Sequence, residues 1–296
     1  MDRVYTSFEW AKSTLPKRKA DANKGSYGRL FAYVGSSAYH GAAHLAVESA
    51  LRGGVGYVEV AASGELRKTL LLKFPELIFK DFAEASMLST SDMENLVREQ
   101  RRATATLVGC GSSKSNQLFE IVSMLLSEDG GALVLDADAI NSMAENREEA
   151  LSLLKNAKRK VVLTPHPLEF SRLSGLDVSY VNENREASAV TFAKEHNCVL
   201  LLKGKGTVIT DGETVYVNTS GSSALAKAGS GDTLAGLLSA LLATSALPPL
   251  ELTALAAYVH GKAGDRLSLE LSEYGVTPSD LPKEMARVIA ELEKDL

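Results

Sequence analysis

Short apolar runs alternate with amphipathic stretches through most of the chain. Arg29 to Val34 (RLFAYV) predicts a strand, closed by Gly35-Ser36-Ser37. Residues 41–53 (GAAHLAVESALRG) are Ala-rich and predict a helix that stops at Gly53-Gly54, glycine being the usual residue just past a helix end. The same reading gives strands at 55–61, 76–80, 104–108, 132–136, 160–164 and 198–202. Between them come helices at 65–74, 92–102, 116–127, 148–158 and 183–196. The strand runs are continuously apolar rather than alternating, which predicts strands buried on both faces, as in the parallel sheet of an α/β protein. After residue 202 the pattern changes. TVITDGETVYVNTS places two β-rich runs around Asp211-Gly212, a hairpin near residues 207–218. Helical stretches follow at 232–244, 249–271 and 279–295, separated at Pro248-Pro249 and Thr277-Pro278.

No repeat, low-complexity tract or flexible linker divides the chain. A single domain over residues 25–296 is therefore expected, with residues 1–24 as an arm against the surface or a neighbouring subunit. The run Lys17-Arg18-Lys19 reads as a solvated face.

Composition narrows the function classes. The 296 residues are 45% hydrophobic and 23% charged, ordinary globular usage that excludes a disordered, collagen-like or coiled-coil chain. Lys plus Arg is 32 against 37 Asp plus Glu, a net charge of −5 without the basic footprint of a nucleic-acid binder. Small anions stay possible, because backbone dipoles bind them whatever the net charge. Cys110 and Cys198 lie far apart in apolar runs and read as buried, reduced thiols rather than a disulfide framework or a zinc site. The polar N-terminal stretch lacks the apolar core of a secretory leader, and no run approaches the ~18 apolar residues of a membrane span. A cytoplasmic protein is expected.

Four polar clusters each follow a predicted strand or open a helix. Gly229-Ser230-Gly231-Asp232 precedes the helical run TLAGLLSALLA. Glycines there let the backbone approach a ligand, and the free N–H groups of a first helical turn favour an anion. Asp232 is placed either as an N-cap or as a base for a substrate hydroxyl. Lys203-Gly204-Lys205-Gly206-Thr207 ends a strand and suits a phosphate cradle, or else a plain turn with surface lysines. Neither the G-x-x-x-x-G-K-[ST] loop nor a G-x-G-x-x-G fingerprint is present, which disfavours a P-loop enzyme and a hydride-transferring Rossmann enzyme. In Thr164-Pro165-His166-Pro167-Leu168-Glu169, two prolines stiffen the backbone around His166; Glu169 is either a water-mediated magnesium ligand or a first-turn helix carboxylate. Asp136-Ala137-Asp138-Ala139-Ile140-Asn141 completes the set. Clusters at strand C-termini converge on one crevice in open α/β sheets.

These segments resemble the ADP/ATP-dependent NAD(P)H-hydrate dehydratases of the ribokinase-like superfamily. The resemblance covers about residues 24–295 and rests on KGSYGRLFAYVGSSAYHGAAHLAVESALRGGVGYVEVA, LVLDADAIN, LTPHPLEF, LLKGKGTVI, AKAGSGDTLAG and AAYVHGKAGD. It implies a three-layer ribokinase-like α/β fold, a mostly parallel central sheet flanked by helices. It implies a hydro-lyase that returns the S-form of hydrated NADH or NADPH to NAD(P)H, consuming ADP or ATP with Mg2+ and releasing phosphate. By the same resemblance Gly41, Ala42, Gly111 and His166 contact the hydrate. Lys203, Gly204, Lys205, Gly206 and Thr207 cradle the nucleotide, Gly231 donates to its phosphates, and Asp232 is the base. Two departures stand out. Gly109-Cys110-Gly111-Ser112-Ser113 replaces a Gly-Pro-Gly-Leu-Gly run, and TSGSSALAKAGSGD lacks the family's Asn-Pro and Met.

Related enzymes carry or accompany an epimerase. The short stretch before the first match leaves no room for one here, so pairing with a separate epimerase is expected, along with a homotetramer. ADP is the favoured nucleotide. The competing readings are a small-molecule kinase of the same superfamily, acting on a vitamin precursor or sugar alcohol, and an idle nucleotide-binding module. The TPH-x-x-E element and the Gly41-Ala42 turn favour the dehydratase over the first, and the presence of Asp232 speaks against the second.

Overall fold

The apolar runs become one ten-stranded sheet in this computed structural model, which describes residues 2–294. The chain opens with β1 (Asp2–Tyr5), α1 (Phe8–Thr14), β2 (Arg29–Tyr33), α2 (His40–Arg52), β3 (Tyr57–Ala62), α3 (Gly64–Leu71) and β4 (Ile78–Asp81). It continues through α4 (Thr90–Glu99), β5 (Ala105–Val108), α5 (Asn116–Ser127), β6 (Ala132–Leu135), α6 (Asp138–Glu145), α7 (Arg147–Lys155) and β7 (Val161–Leu163). Then come α8 (Pro167–Ser174), α9 (Val178–Glu183), α10 (Arg185–His196), β8 (Val199–Leu202), β9 (Val208–Thr210) and β10 (Thr214–Val217). Three helices close it: α11 (Ser230–Thr244), α12 (Pro249–Gly275) and α13 (Leu281–Leu292).

The strand order is β1-β10-β9-β8-β7-β6-β5-β2-β3-β4. Every pair from β8 to β4 is parallel. The antiparallel pairs are β8–β9 and the expected hairpin β9–β10, turned at Asp211, whose Oδ1 accepts the N–H groups of Glu213 and Thr214.

Both faces of the sheet are covered, which is why the strands read as unbroken apolar runs. Side chains alternate between two cores. Leu30 and Ala32 of β2 pack with α2, α11, α12 and α13, while Phe31 and Tyr33 pack in the second core with α4, α5 and the helices that follow. Helix, sheet and helix make three layers. Among the described residues no helix is long and apolar enough to cross a membrane.

The structure departs from the sequence pattern in four places. Residues 2–5 add a parallel edge strand to β10, and α1 packs on α12 and α13. The stretch 183–196 is not one helix: Asn184 leaves helical geometry and its side chain donates to the Tyr180 carbonyl, splitting α9 from α10. Helices α6 and α8 begin inside the strand-end clusters, whose polar residues mask their helical period. Of the basic run, Arg18 is exposed but anchored, lying over the Tyr27 ring and donating to Gly54 O at 2.8 Å.

Candidate functional site

Strands β8, β7, β6, β5 and β2 are neighbours, so the loops leaving their C-terminal ends meet along one edge of the sheet. At the centre is Asp136, the residue after β6, only 1% exposed. Its Oδ1 accepts from Lys203 Nζ at 2.8 Å and Thr164 Oγ1 at 2.7 Å, and the Cys110 thiol donates to Oδ2 at 3.6 Å. Burial alone would raise this carboxyl; the Lys203 charge and the three hydrogen bonds outweigh it and hold the group below its usual value. Lys203 is the counterpart. Burial would lower it, and the charges of Asp136 and Glu169 keep it above its usual value.

The first turn of α11 closes over this pair. Its cap is Gly229, at φ +103° and without a side-chain hydrogen bond, so the alternative of Asp232 as N-cap does not hold. Asp232 lies in the first turn instead, with a carboxylate oxygen, Cys110 Sγ and an oxygen of Asp136 all within 4.8 Å of one another. Burial, followed by the charge of Asp136, pushes Asp232 up to about 6. Gly231 stands over the lysine: a Cβ there would lie 3.3 Å from Lys203 Nζ. The turn is braced from α12. His260 Nε2 sits 3.1 Å from Thr233 Oγ1, which donates to Ser230 O at 2.8 Å. Burial pushes His260 down to about 4, so it braces as a neutral imidazole.

His166 is the N-cap of α8, with Pro167 at the first helical position, where a missing N–H costs nothing. Its Nδ1 accepts the N–H groups of Leu168 and Glu169, both at 3.2 Å, which places the proton of the neutral ring on Nε2. Burial first, then the Lys203 charge, holds its pKa below the usual histidine value. Glu169 completes the capping box by accepting His166 N–H at 2.8 Å, and burial raises its carboxyl. Asp138 is half-buried, accepts Ser113 N–H at 3.0 Å, and is likewise raised, chiefly by burial.

The turn that opens α2 meets the loop after β5. Gly41 is exposed, with open space where a side chain would start. Gly111 packs against Tyr39 and Ala42; a Cβ on it would come 2.6 Å from Ala42 Cβ. Ser113, standing where a last glycine was missing, has φ +59° and so adopts the left-handed backbone of a glycine. Its Oγ donates to Ser36 Oγ at 2.8 Å.

The loop after β8 is divided. Lys203 turns inward to Asp136, whereas Gly204 and Lys205 are exposed. Gly206, at φ +64°, has open space around it, and Thr207 Oγ1 donates to Gly204 O at 2.9 Å. The strand-end clusters therefore join one crevice, with Lys203 at its centre beside Asp136 rather than on its rim. Cys110, Thr164 and His260 were not singled out by the sequence as site residues. Cys110 and His260 sit in apolar surroundings that gave no signal; Thr164 precedes the Pro165-His166 element and could have been found by its place at a strand end. A surface cleft of about 850 Å³ between α4, α5 and α7 holds none of these residues.

The chain is similar to known proteins over most of its length. The NAD(P)H-hydrate dehydratase family matches residues 32–287. A bifunctional NAD(P)H-hydrate repair enzyme Nnr of Moorella thermoacetica is 35% identical over 291 residues, 97% of this chain and 54% of the relative. The chain thus spans about half the length of the bifunctional relatives it matches. An ADP-dependent (S)-NAD(P)H-hydrate dehydratase of Neisseria meningitidis is 33% identical, covering 84% of this chain and 80% of the relative. Among solved structures, an ADP/ATP-dependent NAD(P)H-hydrate dehydratase from Bacillus subtilis, co-crystallised with ATP/Mg2+, superposes with a TM-score of 0.85 at 27% identity, covering 98% of this chain and 99% of the other.

Proposed function

The chain belongs to the NAD(P)H-hydrate dehydratase family, and from that premise we propose that it dehydrates the S-form of hydrated NADH or NADPH with an adenine nucleotide as co-substrate, releasing phosphate. The observation that carries this reading is Asp232: a carboxyl pushed up to about 6, set in the open first turn of α11 and facing Asp136 and Cys110. A base with a pKa near neutrality, next to a helix terminus that favours anions, suits phosphoryl transfer to a substrate hydroxyl.

The chemistry follows from the leaving group. Hydroxide leaves poorly and phosphate leaves well. Asp232 takes the hydroxyl proton as that oxygen bonds to the terminal phosphorus and the phosphoanhydride bond breaks. The first-turn N–H groups of α11, Gly231 among them, and the Lys203 ammonium hold the charge on the moving group. The phosphate then departs with its bonding pair, the neighbouring ring carbon gives its proton to solvent, and the C–H bonding pair restores the dihydropyridine conjugation. Asp136 fixes Lys203. His166, Gly41, Ala42 and Gly111 line the hydrate side, and Lys203 to Thr207 line the nucleotide side.

Asp138 and Glu169 are the carboxyls that Mg2+ would use. Burial holds both above their usual range, and hard oxygen ligands near a nucleotide are what magnesium takes, largely through water. When bound it neutralises charge on the phosphate oxygens. Glu169 would hold it through water, with Asp138 nearby.

ADP is the favoured nucleotide, supported by the name of the Neisseria relative. In this reading the catalytic domain is residues 25–296, with residues 1–24 as its arm; the enzyme works in the cytoplasm as a homotetramer and is paired with a separate epimerase. Functional pairing with an epimerase is supported by the bifunctional names of relatives. The test is incubation with NADH hydrate, ADP or ATP, and magnesium. Return of dihydronicotinamide absorbance together with free phosphate supports the proposal. A stable phosphorylated product would point to a small-molecule kinase instead.

A further inference from the structure

The loop Lys203–Thr207 owes its shape to a residue outside it. Arg185, the first residue of α10, reaches across with both ends of its fork. Its Nη1 donates to Lys205 O at 2.8 Å, and its Nη2 donates to Lys203 O at 2.7 Å and Leu202 O at 2.9 Å. The loop closes tightly on the guanidinium: a Cβ on Gly204 would come 2.7 Å from Nη2, and Gly204 has φ +142°.

Two consequences follow. Carbonyls of the loop are drawn inward to Arg185. The N–H groups of Gly204, Lys205 and Gly206 form no backbone hydrogen bond outside regular elements among the described residues, and they stay available for an anion. Among the described residues the cation has no carboxylate partner: its neighbour Glu186 pairs with Arg3, Nε of Arg185 is buried without a hydrogen-bond partner, and burial alone lowers its pKa. A half-buried positive charge answered only by carbonyl dipoles is complemented by a multiply charged anion on the far side of the loop.

We propose that Arg185 is the positioning residue of the nucleotide loop, its fork holding the carbonyls of residues 202, 203 and 205 so that the loop presents its N–H groups to an adenine nucleotide; this rests on the nucleotide-dependent reading above. The planar fork matters as much as the charge, because one ammonium cannot span three carbonyls at fixed angles.

The test uses Arg185→Lys and Arg185→Ala in the full chain. ADP and ATP are titrated by calorimetry, and steady-state rates are measured with NADH hydrate. Lysine keeps charge and most of the volume, so it stays readable if the alanine variant folds poorly. The expected result is a rise in nucleotide Kd and KM of about tenfold with lysine, the worth of one lost charge-assisted hydrogen bond, and a larger rise with alanine. Turnover at saturating nucleotide falls less than KM rises, because Arg185 acts on the reacting groups only through the backbone of Lys203. Ethylguanidinium added to the alanine variant restores binding, which a general loss of stability would not allow. Parental Kd in both variants, or a turnover loss at unchanged KM, overturns this inference alone. A parent that binds neither nucleotide overturns it together with the nucleotide-dependent reading.

Discussion

The ammonium of Lys203 lies 2.8 Å from Oδ1 of Asp136, and the two groups hold each other charged in a crevice where burial opposes both charges. Removing one partner of such a pair costs far more than the pair contributes, because the other charge stays buried and unanswered.

Lys203→Met is accordingly expected to lower unfolding stability by about 3–5 kcal/mol. The double variant Lys203→Met with Asp136→Leu should recover most of that loss, since no charge is stranded, while turnover stays absent. Urea unfolding of parent, single and double variants measures this. A double variant less stable than the single one would contradict the account.

The pH dependence follows from Asp232, whose carboxyl is raised from 3.8 to about 6 by burial and by Asp136. As the base it must be deprotonated, so kcat/KM of the free enzyme should climb as pH rises through about 6. The stability sign runs the other way. A raised carboxyl favours the folded state when protonated, so its contribution is full below pH 3.8 and is lost as pH rises through about 6. Asp232→Asn should lower turnover by about 10²-fold or more and flatten both curves over that window. An asparagine variant with near-parental turnover would remove the base role.

Ala137 separates the two carboxylates of the β6 end, with φ +47° and ψ −111°, a conformation that a side chain tolerates poorly. The strain lets Asp136 enter the centre while Asp138 accepts Ser113 N–H. Such strain is worth about 1–3 kcal/mol, against about 0.5–1 kcal/mol for the extra freedom of glycine in the unfolded chain. Ala137→Gly should therefore raise the melting temperature or leave it level, with activity intact. A clear fall in Tm would show that the backbone is not strained there.

The sheet was legible because its strands are buried on both faces, and that burial writes continuous apolar runs such as RLFAYV and CVLLL into the chain. The crevice was legible for the same reason: polar residues that interrupt such runs at strand ends must meet along one edge. Helix α6 was not, because its first turn carries the polar residues of the site and blurs the helical period, and α8 showed only in the alternative of Glu169 as a first-turn carboxylate. Asp138 and Glu169 serve at once as first-turn residues and as site carboxylates. Edge strand β1 escaped because residues 2–5 are largely exposed and lack an apolar pattern. The inward turn of Lys203 depends on Asp136, 67 residues earlier in the chain, and local pattern carries no trace of so distant a partner.

Gly206 gives the sharpest test of the nucleotide loop. Among the described residues, its chain neighbours aside, nothing lies within 4 Å of where its Cβ would be, so a larger side chain meets no wall; it fills the space that the loop leaves open. The backbone is at φ +64°, which for a branched residue costs about 1–2 kcal/mol. Gly206→Val should thus lose that much stability without ligand. Gly206→Asn, a residue more at ease in this conformation, should lose less. In the parent, ADP or ATP at a hundredfold excess over Kd should add about 2.7 kcal/mol by binding only the folded state. Both variants should show a smaller gain than the parent, because each puts a side chain where the nucleotide must lie. Melting curves with and without saturating nucleotide separate the two effects: backbone strain appears in the free protein, lost ligand space only in the shift. If valine lowers the free protein's Tm yet leaves the nucleotide shift at the parental size, the ligand does not lie over Gly206, and the nucleotide side of the crevice must be sought elsewhere along the same edge.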